Sequence, residues 1–241
     1  MTKDKIHFIT YGDEKFTNSK KRIFNEALNT NWFETITIYE PKDIDDEHKK
    51  EFEDVYKYSH GDGYYLWKIY IVLKSLEKIN DKDFLVYIDS GCKINKNGEK
   101  RFYEYIDLIK DNTNKIISFY LSWSKEREWT TKQLFDAFDL TTESYIAKSC
   151  QHIGGILIMQ KCKKTIEIFK LAMEIIREDH KLITDYYNKT DQISIFKENR
   201  HDQSILSIIR KLKGSILIKD ETNSTHKKKH ILPFQASRLR N

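Results

Sequence analysis

Proline is nearly missing from these 241 residues: only Pro41 and Pro233 interrupt the chain. Glycine is sparse as well, with eight in all, and no Gly/Ser-rich stretch reads as a flexible linker between domains. Without linker or repeat, one domain over 1–241 is expected, ending in a basic tail from about residue 222. Cys92, Cys150 and Cys162 are odd in number, far apart and without a CxxC pair. That fits packing thiols in a reducing compartment better than a disulfide frame or a zinc site. No run of about 18 apolar residues occurs, so no segment is expected to span a bilayer. Met1-Thr2-Lys3-Asp4-Lys5 passes into a strand-like segment with no apolar secretory stretch, so a cytoplasmic location is expected.

What is present is a core-forming composition under a densely charged surface: 39% hydrophobic and 33% charged residues. A chain of this length buries roughly 70% of its unfolded surface, enough for a core and a cleft. Net charge is +5, from 42 Lys plus Arg against 37 Asp plus Glu. The excess is mild and spread out except near the end. Nucleic-acid binders concentrate such charge in a stripe, so no nucleic-acid partner is expected.

Hydrophobic periodicity alternates between strand and helix. Ile6-His7-Phe8-Ile9-Thr10 reads as a buried strand closed by Tyr11-Gly12-Asp13, residues 17–29 as a helix, and 33–39 as a second strand. A charged helical stretch is expected over 43–56 and an amphipathic helix over 64–79, with Leu66, Ile69, Leu73 and Leu76 on one face. Phe84-Leu85-Val86-Tyr87-Ile88 is the continuous apolar run of a central parallel strand. Helices over 99–110, 163–177 and 203–212 and strands over 116–121 and 155–159 complete the pattern. It predicts an α/β fold with a mixed, mostly parallel central sheet flanked by helices.

In such sheets ligands sit beyond the carboxyl ends of the strands. Two signals fall at that edge. Thr10-Tyr11-Gly12 offers an aromatic ring and a flexible backbone for a nucleotide base, or is an ordinary turn. Asp89-Ser90-Gly91 carries a carboxylate out of an apolar strand, where a metal diphosphate or a ribose hydroxyl could use it, although Asp-Ser-Gly is also good turn chemistry. Lys68 stands near a helix start, where the dipole disfavours a cation by up to about 1 kcal/mol. A bound anion would offset that cost; a solvated lysine needs none. Asp202 of His201-Asp202-Gln203 is a natural helix cap. The pair Gly154-Gly155 after Gln151 either relieves the chain or lets a sugar ring approach it closely.

Taken in order, these segments resemble the GT-A glycosyltransferases related to glycogenin and to bacterial lipopolysaccharide galactosyltransferases. The likeness rests on a first strand ending in Thr10-Tyr11-Gly12, on Leu66-Trp67-Lys68, and on Val86 to Gly91. Gly154-Gly155-Ile156-Leu157-Ile158 and Asp202-Gln203-Ser204-Ile205-Leu206 complete it, across about residues 6–212. The resemblance implies transfer of a sugar from a nucleoside-diphosphate sugar, a UDP-sugar by preference, to a glycan, protein or lipid acceptor, with a lean toward retention. It assigns Thr10 and Tyr11, with Gly12 beside them, to the nucleoside, and Lys68 to the donor phosphates or sugar. Asp89, Ser90 and Gly91 go to the metal-diphosphate region, and Gln151, Gly154 and Gly155 border the transferred sugar. Asp202 and Gln203 take a catalytic or sugar-orienting role. The family pattern at the strand end is Asp-x-Asp, and here the second acid is Gly91. A divalent cation, Mn2+ or Mg2+, would therefore rest on Asp89 with His230, or His226, supplying the missing ligand, or be bound weakly, or be absent. The tail residues Lys227, Lys228, Lys229, Arg238 and Arg240 are a solvated basic segment, a cover for the diphosphate or a contact to anionic membrane lipid. Trp123, Glu128 and Trp129 are acceptor-side candidates, and core packing explains the tryptophans equally well.

Two other readings come from different classes. A nucleotide-binding module without transferase activity suits the basic tail and the missing second acid. A nucleotidyltransferase would want two close carboxylates and a glycine-rich phosphate loop near the N-terminus, and neither is found.

Overall fold

The computed structural model describes residues 4–237 and Leu239. Among the described residues nine strands run in chain order: β1 Ile6–Tyr11, β2 Thr35–Tyr39, β3 Phe84–Ile88, β4 Lys93–Ile94, β5 Ile117–Lys125, β6 Cys150–His152, β7 Ile156–Gln160, β8 Ile216–Lys219 and β9 Phe234–Gln235. The longer helices are α1 Thr17–Thr30, α2 Leu66–Lys78, α3 Glu99–Lys110, α4 Lys163–Glu178 and α5 Asp202–Lys213. The central sheet has the order β2-β1-β3-β7, with the first three strands parallel and β7 antiparallel to β3. A bridge between Ile116 and Met159 joins it to a second sheet of order β6-β5-β8. This is the expected α/β architecture with a mixed, mostly parallel central sheet.

Period-two alternation sorts the strand side chains into two cores. Ile9 and Tyr11, Leu85 and Tyr87, and Leu157 and Met159 face one layer, made by α2, α4 and α5. Ile6 and Phe8, Phe84, Val86 and Ile88, and Ile156 and Ile158 face the other, with α1 and α3. Every residue of β3 is fully buried, which is why its sequence is apolar without interruption. The same parity carries Asp89, one step beyond β3, toward the layer that holds α2.

Three expectations shift. The charged stretch over 43–56 is two short helices, Asp46–Glu51 and Glu53–Tyr56, broken at Phe52. The helix expected over 64–79 begins only at Leu66, because Gly61 through Tyr65 all have positive φ (56°, 52°, 84°, 53° and 64°). Periodicity alone also missed β4, β6, β8 and β9, each four residues or fewer. Among the described residues no helix is long and apolar enough to cross a membrane. Lys227, Lys228 and Lys229 of the tail are exposed, and Arg238 and Arg240 lie outside the described residues.

Candidate active site

Lys68, on the first turn of α2, reaches two acids from distant parts of the chain. Its Nζ donates to Asp202 Oδ2 at 2.7 Å and lies 3.3 Å from Asp89 Oδ1. The lysine and Asp202 side chains are 4% and 5% exposed, whereas Asp89 is 43% exposed, so the cluster opens outward through Asp89 alone. Burial by itself pulls the Lys68 ammonium down, but Asp202 and then Asp89 outweigh it and hold it above its ordinary value. Burial also pushes the Asp202 carboxyl up against the pull of Lys68. One ammonium stands against two carboxyl groups, so with both ionised the cluster carries one net negative charge.

Asp89 is oriented from behind. The Tyr87 hydroxyl, on the same face of β3, donates to Asp89 Oδ1, and burial followed by Asp89 keeps that phenol protonated by raising it. Asp89 N bonds Gly155 O at 2.9 Å, and a Cβ on Gly155 would stand 2.6 Å from Asp89 Oδ2. Gly155 therefore leaves room for the carboxylate. Arg22 of α1 pins the turn that follows, donating to Ser90 O and Cys92 O at 2.8 Å each. Sequence patterns did not single out Tyr87 or Arg22. Parity could have marked Tyr87, two residues before Asp89, while Arg22 carries no local signal.

Asp202 is the first residue of α5 and His201 occupies the cap position, at φ 52°. The carboxylate thus points to Lys68 rather than acting as a simple side-chain cap. Around it runs a directed chain of amides. Glu126 is fully buried and accepts Gln151 Nε2 at 2.9 Å and Thr130 Oγ1 at 2.8 Å, while its other oxygen takes the Ser207 hydroxyl and the Lys211 ammonium. With its nitrogen committed to that acid, Gln151 offers its oxygen to Gln203 Nε2 at 2.7 Å and to Arg200 Nη1 at 3.1 Å. Gln203 then offers its oxygen to Gly154 N at 2.9 Å. A single anion at the root so decides which way each amide points. Glu126 was not legible as functional, since nothing near it in sequence says that it is buried.

Thr10 and Tyr11 end β1 beside this cluster, and both are buried. The Thr10 hydroxyl donates to Ile88 O at 2.6 Å. The Tyr11 ring stacks on Trp67 at 3.8 Å and its hydroxyl donates to Asp62 in the left-handed turn. Gly12 packs against α1, where a Cβ would meet Phe16 and Lys20 at 2.9 Å. Past Gly91 the C-terminal segment docks, with Leu239 N and Ser237 Oγ both donating to Gly91 O, at 2.8 and 3.1 Å. His230 is exposed on a short turn whose carbonyl accepts from Asn95 Nδ2 at 3.0 Å. On the open side Trp123 is 62% exposed, and the Arg200 guanidinium lies 3.6 Å over Trp129 and 5.7 Å from Trp123. Glu128 pairs with Lys197 at 2.9 Å. A separate depression of about 380 Å³, lined by His7, Thr35, Ser75 and Asp83 among others, lies toward the opposite ends of β1 and β3.

The structure therefore brings together Lys68, Asp89, Asp202, Gln203, Gln151, Gly154 and Gly155 at the carboxyl edge of the sheet. No protein-family profile matches the sequence, and no curated protein matches it. Solved structures match in shape. A glycosyltransferase involved in the glycosylation of the major capsid of PBCV-1 gives a TM-score of 0.51 at 15% identity, over 96% of this chain and 93% of its own. Mouse xyloside xylosyltransferase 1 gives 0.50 at 10% identity over 90% and 85%. The bifunctional glycosyltransferase WbbM gives 0.54 at 12% identity over 90% of this chain and 39% of that one. At these identities the likeness is one of fold, and it extends over nearly the whole chain: the protein has the GT-A fold of the glycosyltransferases.

Proposed function

We propose that this chain is a glycosyltransferase that moves a sugar from a nucleoside-diphosphate sugar, most naturally a UDP-sugar, to a glycan, protein or lipid acceptor. The observation that carries the reading is the buried Lys68 held between Asp202 and the half-open Asp89 at the sheet edge. A buried ion pair with a spare carboxylate is costly to build for stability alone.

The negative cluster would repel a bare diphosphate, so the reading includes a divalent cation, Mn2+ or Mg2+. The residues fit one: Tyr87 and Lys68 both engage Asp89 Oδ1, and Oδ2 faces the side-chain-free Gly155. One protein carboxylate suits an ion held largely by phosphate oxygens and water, with His230 as the further ligand implied by the resemblance. Such an ion would neutralise charge on the departing diphosphate. The chain's own residues then orient the donor. Gly155 makes room for Asp89 and Gly154 for Gln203, and the buried Gln151 fixes the Gln203 amide beside the sugar. Asp202, neutralised by Lys68, stands next to Gly154, where a Cβ would lie 3.3 Å from Asp202 Oδ2. Thr10 and Tyr11 brace the nucleoside side, while Trp123, Arg200 and Trp129 form an aromatic-cationic platform suited to an acceptor sugar. Rate enhancement comes chiefly from positioning and charge stabilisation.

A panel of UDP-, GDP- and CDP-sugars, scored by thermal shift with and without Mn2+, tests this. One nucleotide class should raise Tm by several degrees, and more so with metal. A panel in which no nucleotide sugar stabilises the protein overturns the proposal.

A further inference from the structure

Beside the site, three side chains that the proposed transfer does not use face one another: His60, Asp185 and His201. Their ligand atoms all lie within 4.8 Å of one another. His60 Nδ1 is 3.8 Å from Asp185 Oδ2, and His201 Nε2 is 3.7 Å from Asp185 Oδ1. Both separations exceed direct hydrogen-bond length, so the carboxylate turns one oxygen to each imidazole without bonding either. Metal–ligand bonds of about 2.0–2.2 Å place tetrahedral donor atoms roughly 3.3–3.6 Å apart. These two separations end on different oxygens of Asp185, so one oxygen stands near that spacing from one imidazole and all three donors lie within 4.8 Å, a gap that the exposed His60 ring can close.

The surroundings orient the donors as a metal site requires. His201 Nδ1 bonds Ile183 O at 2.9 Å, which makes it the protonated nitrogen and leaves the Nε2 lone pair directed at Asp185. The Tyr64 ring packs between the two imidazoles, 5.2 Å from that of His60 and 4.9 Å from that of His201. His201 is buried, so its ring is held in place by packing. The three ligands come from three separate segments: the residue before the left-handed turn, the 180–190 loop, and the residue before Asp202.

We propose that His60, Asp185 and His201 form a binding site for a first-row divalent transition-metal ion, zinc by its two-imidazole, one-carboxylate donor set, with a fourth position left to water. It is distinct from a cation at Asp89 and stands whether or not the transferase reading does. An ion there ties the turn that leads into α2 to the start of α5, the two elements that carry Lys68 and Asp202.

The test uses the full chain, prepared metal-free and without a histidine tag, titrated with Zn2+ by calorimetry and with Co2+ by visible absorption. One equivalent should bind, raise Tm by about 5 °C or more at a hundredfold excess over Kd, and give the ligand-field bands of four-coordinate Co2+. His60→Ala and Asp185→Asn, both at exposed or half-exposed positions, should remove that equivalent. Asp89→Asn should leave it unchanged. Absence of a stoichiometric site overturns the proposal, as does binding that survives both ligand variants or is lost in Asp89→Asn.

Discussion

A lysine with three donors can serve two carboxylates, and Lys68 does so from a position where water scarcely reaches it. Removing one partner exposes the cost of that arrangement. Truncating a partner of a buried pair typically costs about 3–5 kcal/mol, and since Asp89 remains 3.3 Å away, Asp202→Ala is expected near the low end, at about 3 kcal/mol by urea denaturation. A loss of about 1 kcal/mol would instead mean that Asp202 serves only its helix terminus. The buried histidines set a second residue-scale behaviour. Burial first lowers His48 and His201 to about 4 and His152 to about 2, from an ordinary value of 6.5. Between those folded values and 6.5 the unfolded chain binds more protons, so stability rises with pH there. Stability should therefore be full above about pH 6.5 and fall as pH drops toward 4, with His152 extending the loss toward 2. Urea midpoints across that range check this, and a flat profile from pH 7 to 4 would contradict it. Asp89 and Lys68 were visible in sequence because one breaks an apolar run and the other opposes a helix dipole. Glu126 was invisible, since its importance lies in contacts with Gln151, Ser207 and Lys211, 25 to 85 positions away.

Between elements, the close approach of β3 and β7 decides where Asp89 sits. A Cβ on Gly155 meets the far end of a half-exposed carboxylate rather than backbone. Gly155→Ala should therefore change stability by less than about 1 kcal/mol while displacing Asp89 and weakening Mn2+-dependent donor binding. Calorimetry of donor binding beside a urea curve separates the two effects; unchanged donor affinity would place the sugar elsewhere. The left-handed turn before α2 has no local signature in the sequence. Leu66, Ile69, Leu73 and Leu76 announce the helix, but Asp62, Tyr64 and Tyr65 adopt positive φ only because Tyr11, Trp67 and His201 pack around them. Such conformations cost of order 1–3 kcal/mol each, and tertiary contacts hold them. The short strands β4, β6, β8 and β9 escaped for a related reason: pieces of two to four residues carry too little periodicity to be read locally.

Across the whole molecule, a two-layer core around one sheet delivers groups from positions 68, 89, 151 and 202 to a single edge. The order of the motifs in the sequence anticipated that convergence, because strand ends in a parallel sheet share an edge by construction. It did not anticipate that Tyr11 would be buried with its hydroxyl on Asp62, or that Ser237 and Leu239 would bond Gly91 O. Donor-sugar cleavage supported by Asp89 at this edge can be read from slow release of nucleoside diphosphate from the stabilising nucleotide sugar, in Mn2+, by the native chain and by Asp89→Asn at matched urea stability. Measurable hydrolysis by the native protein and a loss of about 100-fold or more in the variant are expected. Equal rates in the two proteins, or no release by the native chain from any donor, would contradict this role of Asp89.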